Sequence, residues 1–383
     1  MKLRKHILIP SLIALGLAMG VASCGEDNPI DTSKTVVITE PRVENDFDKW
    51  LAHYFMTPYN IELRYRLKDN ETSLNYNLAP AELNKSVQMA HLVKYLCLEA
   101  YDEATGSQAF VRTLFPKLLD LIGSPAYNTN GTMVLGTAEG GRKMTLYMVN
   151  ELKPTDSEHL NRYYFKTVHH EFGHIQNQTK PYPQEFQQVT ATGYVSDSWS
   201  SKWNTPTDIR SVLQLEERAR YPKVVQYYAY YDERTTLMNK PNRTAEETAR
   251  INELATLITE LRKEAEYVAQ MREYNSISSY IQKIDVATLN ALRAGFISPY
   301  ASSQHAEDFV EIQSIFMTDA PALWEAKMRL AGETGRALIQ EKYNIVESYL
   351  QNDWGISLVG MRDIVLARQA KLGEQDLTGL TIK

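Results

Sequence analysis

His170 and His174 stand four residues apart, with Glu171 directly after the first, in the run His169-His170-Glu171-Phe172-Gly173-His174. The run lies inside 156–178, which reads as a helix: Thr155 and Glu158 have capping-box spacing at its start, and Pro181 and Pro183 close it. Residues four apart on a helix share a face. Both imidazoles can therefore reach one metal ion, with Glu171 beside them where it can take a proton from a water. A catalytic Zn2+ needs a third protein ligand and one open position. No third histidine follows at short spacing. The pattern thus demands a fold that carries a distant segment back to this helix.

The strongest source of that ligand is 300–311, which runs from Tyr300 through His305 and Glu307 to Glu311. Glu307 and Glu311 are again four apart on a predicted helix. One carboxylate can bind the ion while the other accepts a hydrogen bond from a ligand histidine and fixes its tautomer. Spacing alone allows Glu307 as ligand and Glu311 as support, or the reverse. His305 is a weaker candidate ligand, because two residues from Glu307 it falls off that face. Asp308 reads as a solvent or capping charge, and His169 as a neighbour of the ligands or a surface residue.

The N-terminus is of another kind. Lys2, Arg4 and Lys5 precede an apolar run from Ile7 to Ala18, and Val21-Ala22-Ser23 leads to Cys24. This is the pattern of a lipoprotein signal over residues 1–24, with Cys24 as the lipidated residue that holds the protein to a membrane. Glu26 and Asp27 resemble acidic signals for the outer cell surface. Residues 25–46 are polar and read as a flexible tether. Cys97 then lacks an intrachain partner, so no disulfide framework is expected; it sits in an apolar helical stretch as a small core residue.

His-Glu-Phe-Gly-His, followed much later by Tyr300, Glu307 and Glu311, resembles the catalytic domain of anthrax lethal factor and related gluzincins. The resemblance implies that Glu307 is the third zinc ligand, Glu311 the carboxylate behind the ligands, and Tyr300 a phenol that assists the transition state. With the lipoprotein signal, the chain is similar to a bacterial family of substrate import-associated zinc metallohydrolase lipoproteins, also described as zinc-binding metallopeptidases. That likeness implies a zincin-like fold, a peptide or protein substrate, an outer-membrane and cell-surface location, and a TonB-dependent transporter system as partner.

The expected fold is α+β and mostly helical: a small N-terminal sheet, the His-Glu-x-x-His helix and a helical C-terminal half. One metallopeptidase domain is expected over 47–383, with lobes of about 47–206 and 207–383. Residues 61–67 read as a strand, and 80–103 and 107–122 as helices. Residues 132–138 and 142–149 read as a hairpin through Glu139-Gly140-Gly141, and the first of these strands is placed to pair with an extended substrate. The stretch 184–206 reads as irregular. Residues 245–273 read as one amphipathic helix with a solvated outer face, followed by helices at about 304–318, 320–330, 333–352 and 358–371.

The net charge of −6 offers no electrostatic ground for nucleic-acid binding. The competing reading to a hydrolase is a non-catalytic surface lipoprotein that captures peptide or glycan for a transporter. Tyr227, Tyr228, Tyr230, Tyr231, Trp199 and Trp203 would then form a stacking surface, although core and interface packing is the better account of such residues. An intact Glu171 favours the enzyme.

Overall fold

Polar side chains on a fully buried helix must find partners inside the protein. The helix His305–Thr318, termed here the carboxylate helix, is such an element: every residue from Glu307 to Thr318 is buried. Its apolar residues, among them Phe309, Val310, Ile312 and Met317, join a core that draws on Phe47 to Trp203 and again on Ala291 to Leu377. The computed structural model describes residues 44–68, 76–128, 131–139, 141–204 and 208–383. Residues Asp46–Lys383 form one compact unit. Residues 1–43, which hold the expected lipoprotein signal, Cys24 and nearly all of the expected tether, lie outside the described residues.

The architecture is α+β and mostly helical, with a small mixed sheet. The strands are β1 (Glu62–Arg64), β2 (Leu118–Leu121), β3 (Ala126–Tyr127), β4 (Met133–Val134), β5 (Gly136–Glu139) and β6 (Lys143–Leu146). The main sheet runs β1-β2-β6-β5, and β3 pairs with β4 as a separate ribbon. Strands β1, β2 and β6 are parallel, with Leu63 opposite Leu119 and Leu119 opposite Met144. β5 is antiparallel to β6, with Thr137 opposite Thr145, and forms one edge.

Two expectations about this region are corrected. Residues 107–122 are not one helix: the helix ends at Leu114, before Pro116, and Leu118–Leu121 is a central strand. A strand covered on both faces carries a near-continuous apolar run, which a helix pattern also accepts. The first hairpin run divides, Met133–Val134 pairing with β3 and Gly136–Glu139 with β6, because the chain changes partner between them.

The helices of the first half come in longer pieces. Residues 83–105 form one helix with a π-helical turn at Lys94–Leu98. Cys97 is fully buried there, and burial pushes its thiol far above the ordinary range. The helix carrying the histidines, termed the motif helix, spans 157–179 with a π-helical turn at Asn161–Phe165. Its cap is Asp156, whose carboxylate accepts from the His159 amide at 3.0 Å, rather than the expected Thr155.

The second half is helical throughout. The expected single helix over 245–273 is two, Ala245–Leu261 and Ala265–Lys283. The break folds the chain back, so that Tyr267 meets Tyr227 at 5.6 Å between ring centres and Tyr274 meets Tyr228 at 6.1 Å. Among the described residues no helix is long and apolar enough to cross a membrane.

Candidate metal centre

The motif helix and the carboxylate helix pack against each other, and glycine sets how closely they approach. A Cβ at Gly173 would meet Val310 Cγ1 at 2.9 Å and Gln313 Oε1 at 3.2 Å. On the opposite side Phe172 anchors the motif helix among Tyr101, Phe110 and Phe115, at ring distances of 4.9 to 5.7 Å. At one end Asn161 donates to the Thr318 carbonyl at 2.8 Å; further along, Gln313 donates to Gln176 at 2.8 Å.

This packing brings His170, His174 and Glu307 together. Glu307 Oε2 lies 2.9 Å from His170 Nε2 and 3.1 Å from His174 Nε2. One donor atom from each residue falls within 4.8 Å of the others. A tetrahedral zinc ion with bonds of about 2.0–2.1 Å separates its ligand atoms by roughly 3.3 Å. The Glu307 oxygen therefore lies within a few tenths of an ångström of that separation from each imidazole, and nitrogen and carboxylate oxygen are the donors zinc takes.

Glu311 faces the other side of His170. Its Oε1 lies 2.9 Å from His170 Nδ1 and 2.7 Å from Lys166 Nζ, while Ser298 Oγ donates to Oε2 at 2.5 Å. Lys166 stands one helical turn before His170, a spacing the sequence itself displays. Ser298 also accepts from the Ala301 amide at 3.1 Å, which ties the turn Tyr300–Ser302 to the same carboxylate. The Tyr300 ring stands 5.9 Å from the His170 ring.

The charges follow from this geometry. Burial would lower the His170 imidazole, but its contacts with Glu307 and Glu311 win and raise it to about 9. Burial works to raise Glu307, yet His170 and His174 hold it well below the carboxylate range. Glu311 behaves alike, burial being outweighed by Lys166 and His170. Burial, reinforced by the negative charges of Glu307 and Glu311, pushes the Tyr300 phenol far above its ordinary value, so it keeps its proton. Glu171 lies near enough to act on both His170 and Tyr300 electrostatically.

Other candidate residues fall elsewhere. His305 is outside the donor group; its Nδ1 lies 2.6 Å from the Tyr182 hydroxyl. Asp308 is not a solvent or capping charge. It is fully buried, ion-paired to Lys342 at 2.5 Å, and accepts from the Tyr194 hydroxyl at 2.9 Å. Neither the depth of the carboxylate helix nor the distant lysine could be read from local pattern. His169 is neither beside the ligands nor at the surface: it is buried against Tyr101, 3.0 Å from its hydroxyl, and burial lowers it to about 4. Trp203 is a core residue whose Nε1 donates to Ser302 at 2.8 Å. Tyr227 and Tyr231 stack on each other at 5.9 Å. Trp199 differs, lining an open groove that ends at Tyr300.

Two histidines and a carboxylate, held by two packed helices beside a small mixed sheet, make a candidate metal centre in a mostly helical α+β fold. The profile of a family described as "putative zinc-binding metallo-peptidase" matches residues 40–359, and the chain belongs to that family. A crystal structure described as a "putative zinc-binding metallo-peptidase" from Bacteroides caccae ATCC 43185 is 30% identical, with a TM-score of 0.58, covering 88% of this chain and 96% of that one. Among curated proteins none matches.

Proposed function

We propose that the protein is a zinc-dependent peptidase of the gluzincin type, with His170, His174 and Glu307 as ligands and Glu171 as general base. The observation that carries this reading is the single carboxylate oxygen of Glu307 set 2.9 and 3.1 Å from the two imidazoles of a His-Glu-x-x-His helix. A zinc ion held there would supply the Lewis acidity that makes an attacking water acidic near neutral pH. Glu171 takes the proton on its carboxylate and returns it to the departing amine nitrogen. Tyr300, protonated through burial, donates a hydrogen bond where negative charge gathers on the carbonyl oxygen. Glu311 holds His170 through Nδ1 and so keeps Nε2 toward the ion.

The edge strand β5 lies against the motif helix. A Cβ at Gly136 would meet Thr167 Cγ2 at 2.5 Å, which supports β5 as the strand that pairs with an extended substrate backbone. Attachment to the outer membrane at the cell surface through lipidated Cys24, with delivery of products to a TonB-dependent transporter, completes the proposal. It is supported by the signal-like sequence of residues 1–24. Cys24→Ser should move the protein from the membrane to the soluble fraction; an unchanged distribution contradicts the anchor.

The direct test of the enzyme is Glu171→Gln. Turnover of a peptide library should fall at least about a hundredfold, the lower bound for a lost general base, while bound zinc stays at one ion per chain. Retained turnover overturns the role of Glu171. A zinc-loaded wild-type protein that binds peptides without cleaving them favours the capture reading.

A further inference from the structure

The groove that ends at Tyr300 has a volume of about 1510 Å³, above the roughly 300–1,000 Å³ of a small-molecule pocket. Its lining takes Tyr127, Asn128 and Thr132 from the β3–β4 ribbon, together with Tyr76. The Tyr76 hydroxyl donates to Asn128 at 3.2 Å, and the Asn128 amide donates to Thr132 at 3.1 Å. The lining also takes Asp197, Trp199, Ser200 and Asn204 from the segment 196–204. Gln304, also in the lining, donates to Glu307 Oε1 at 3.3 Å.

The chemistry of this lining is selective. Among the described residues it contains no aliphatic side chain, no lysine or arginine, and Asp197 as its one acid. A subsite for an apolar peptide side chain would be walled by aliphatic groups, and one for a charged side chain by the opposite charge. What the groove offers is aromatic faces among uncharged amides and hydroxyls. That set complements a molecule whose apolar C–H faces stack on rings while its hydroxyls and amides exchange hydrogen bonds. Tyr127 remains 52% exposed. Trp199 meets Tyr300 edge-on at 5.0 Å, and Tyr300 lies 5.9 Å from His170. A group resting on Trp199 is therefore attached within a few residues of a bond cleaved at the metal, at about 3.3–3.6 Å per extended residue.

We propose that the substrate is a glycosylated peptide whose sugar occupies this groove, stacked on Trp199 and faced by Tyr127. The proposal rests on the peptidase reading for the cleaved bond and on the groove for the sugar, and the two separate experimentally. The test titrates zinc-loaded Glu171→Gln protein calorimetrically with two peptides of one sequence, one bearing an O-linked disaccharide on a threonine and one bare. The glycosylated peptide should bind about tenfold tighter, and Trp199→Ala or Tyr127→Ala in the same background should bring the two within about threefold. The two variants sit on separate elements, the strand Ala126–Tyr127 and the helical turn Trp199–Lys202, so misfolding of one leaves the other to decide. Equal affinity of the two peptides overturns the proposal. Tight glycopeptide binding without cleavage by the protein with Glu171 intact supports the groove assignment and overturns the peptidase reading instead.

Discussion

His170 is held between two carboxylates, Glu307 at Nε2 and Glu311 at Nδ1, each 2.9 Å away. In the metal-free protein it keeps its proton up to about pH 9 instead of its ordinary 6.5. That raised value stabilises the fold fully below the unfolded value and is lost as pH rises through about 9. The same proton competes with a metal. Apparent zinc affinity should therefore fall as pH falls below about 9, by about tenfold per pH unit for one displaced proton. Competition with a zinc-binding dye at about pH 6, 7 and 8 reads this slope, and a flat profile contradicts it. In the proposed site Glu311 acts through His170 and not on the ion. Glu311→Gln should weaken zinc binding about 10–100-fold, as loss of an orienting partner does. Unchanged affinity would remove Glu311 from the site.

The crossing of the motif and carboxylate helices turns separate residues into a site, and Gly173 is its tightest point. Gly173→Ala puts a methyl at 2.9 Å from the branched Val310 side chain, which cannot swing away as a flexible end would. The variant should lose about 1–3 kcal/mol of stability and bind zinc more weakly. Val310→Ala in the same chain should recover most of the zinc affinity; failure to do so contradicts the packing argument. Much of this element pair could be read in advance, because two i,i+4 pairs, His170 with His174 and Glu307 with Glu311, each declare a helical face. The strand Leu118–Leu121 could not, since an apolar run covered on both sides carries no period of its own. Asp308 was misread because an acid beside a ligand looks solvated until the burial of its whole helix is known. Trp199 is a stacking candidate in the sequence, but the elements around it are not legible there, because the short helical turns Ser196–Ser198 and Trp199–Lys202 carry no periodic signal.

At the scale of the whole molecule, one core reaches from Phe47 to Leu377 and returns the chain to the motif helix after the excursion through 208–290. The buried polar groups of the carboxylate helix are the cost of that return, and they are met by specific partners. Glu307 has the histidines, Asp308 has Lys342, Glu311 has Lys166 and Ser298, and Gln313 has Gln176. The central claim is that His170, His174 and Glu307 share one zinc ion, and anomalous diffraction at the zinc edge from zinc-grown crystals tests it most directly. The expected result is a single strong peak within about 2.0–2.2 Å of His170 Nε2, His174 Nε2 and a Glu307 carboxylate oxygen. No peak there, or a peak from which Glu307 stands well out of bonding reach, would contradict it.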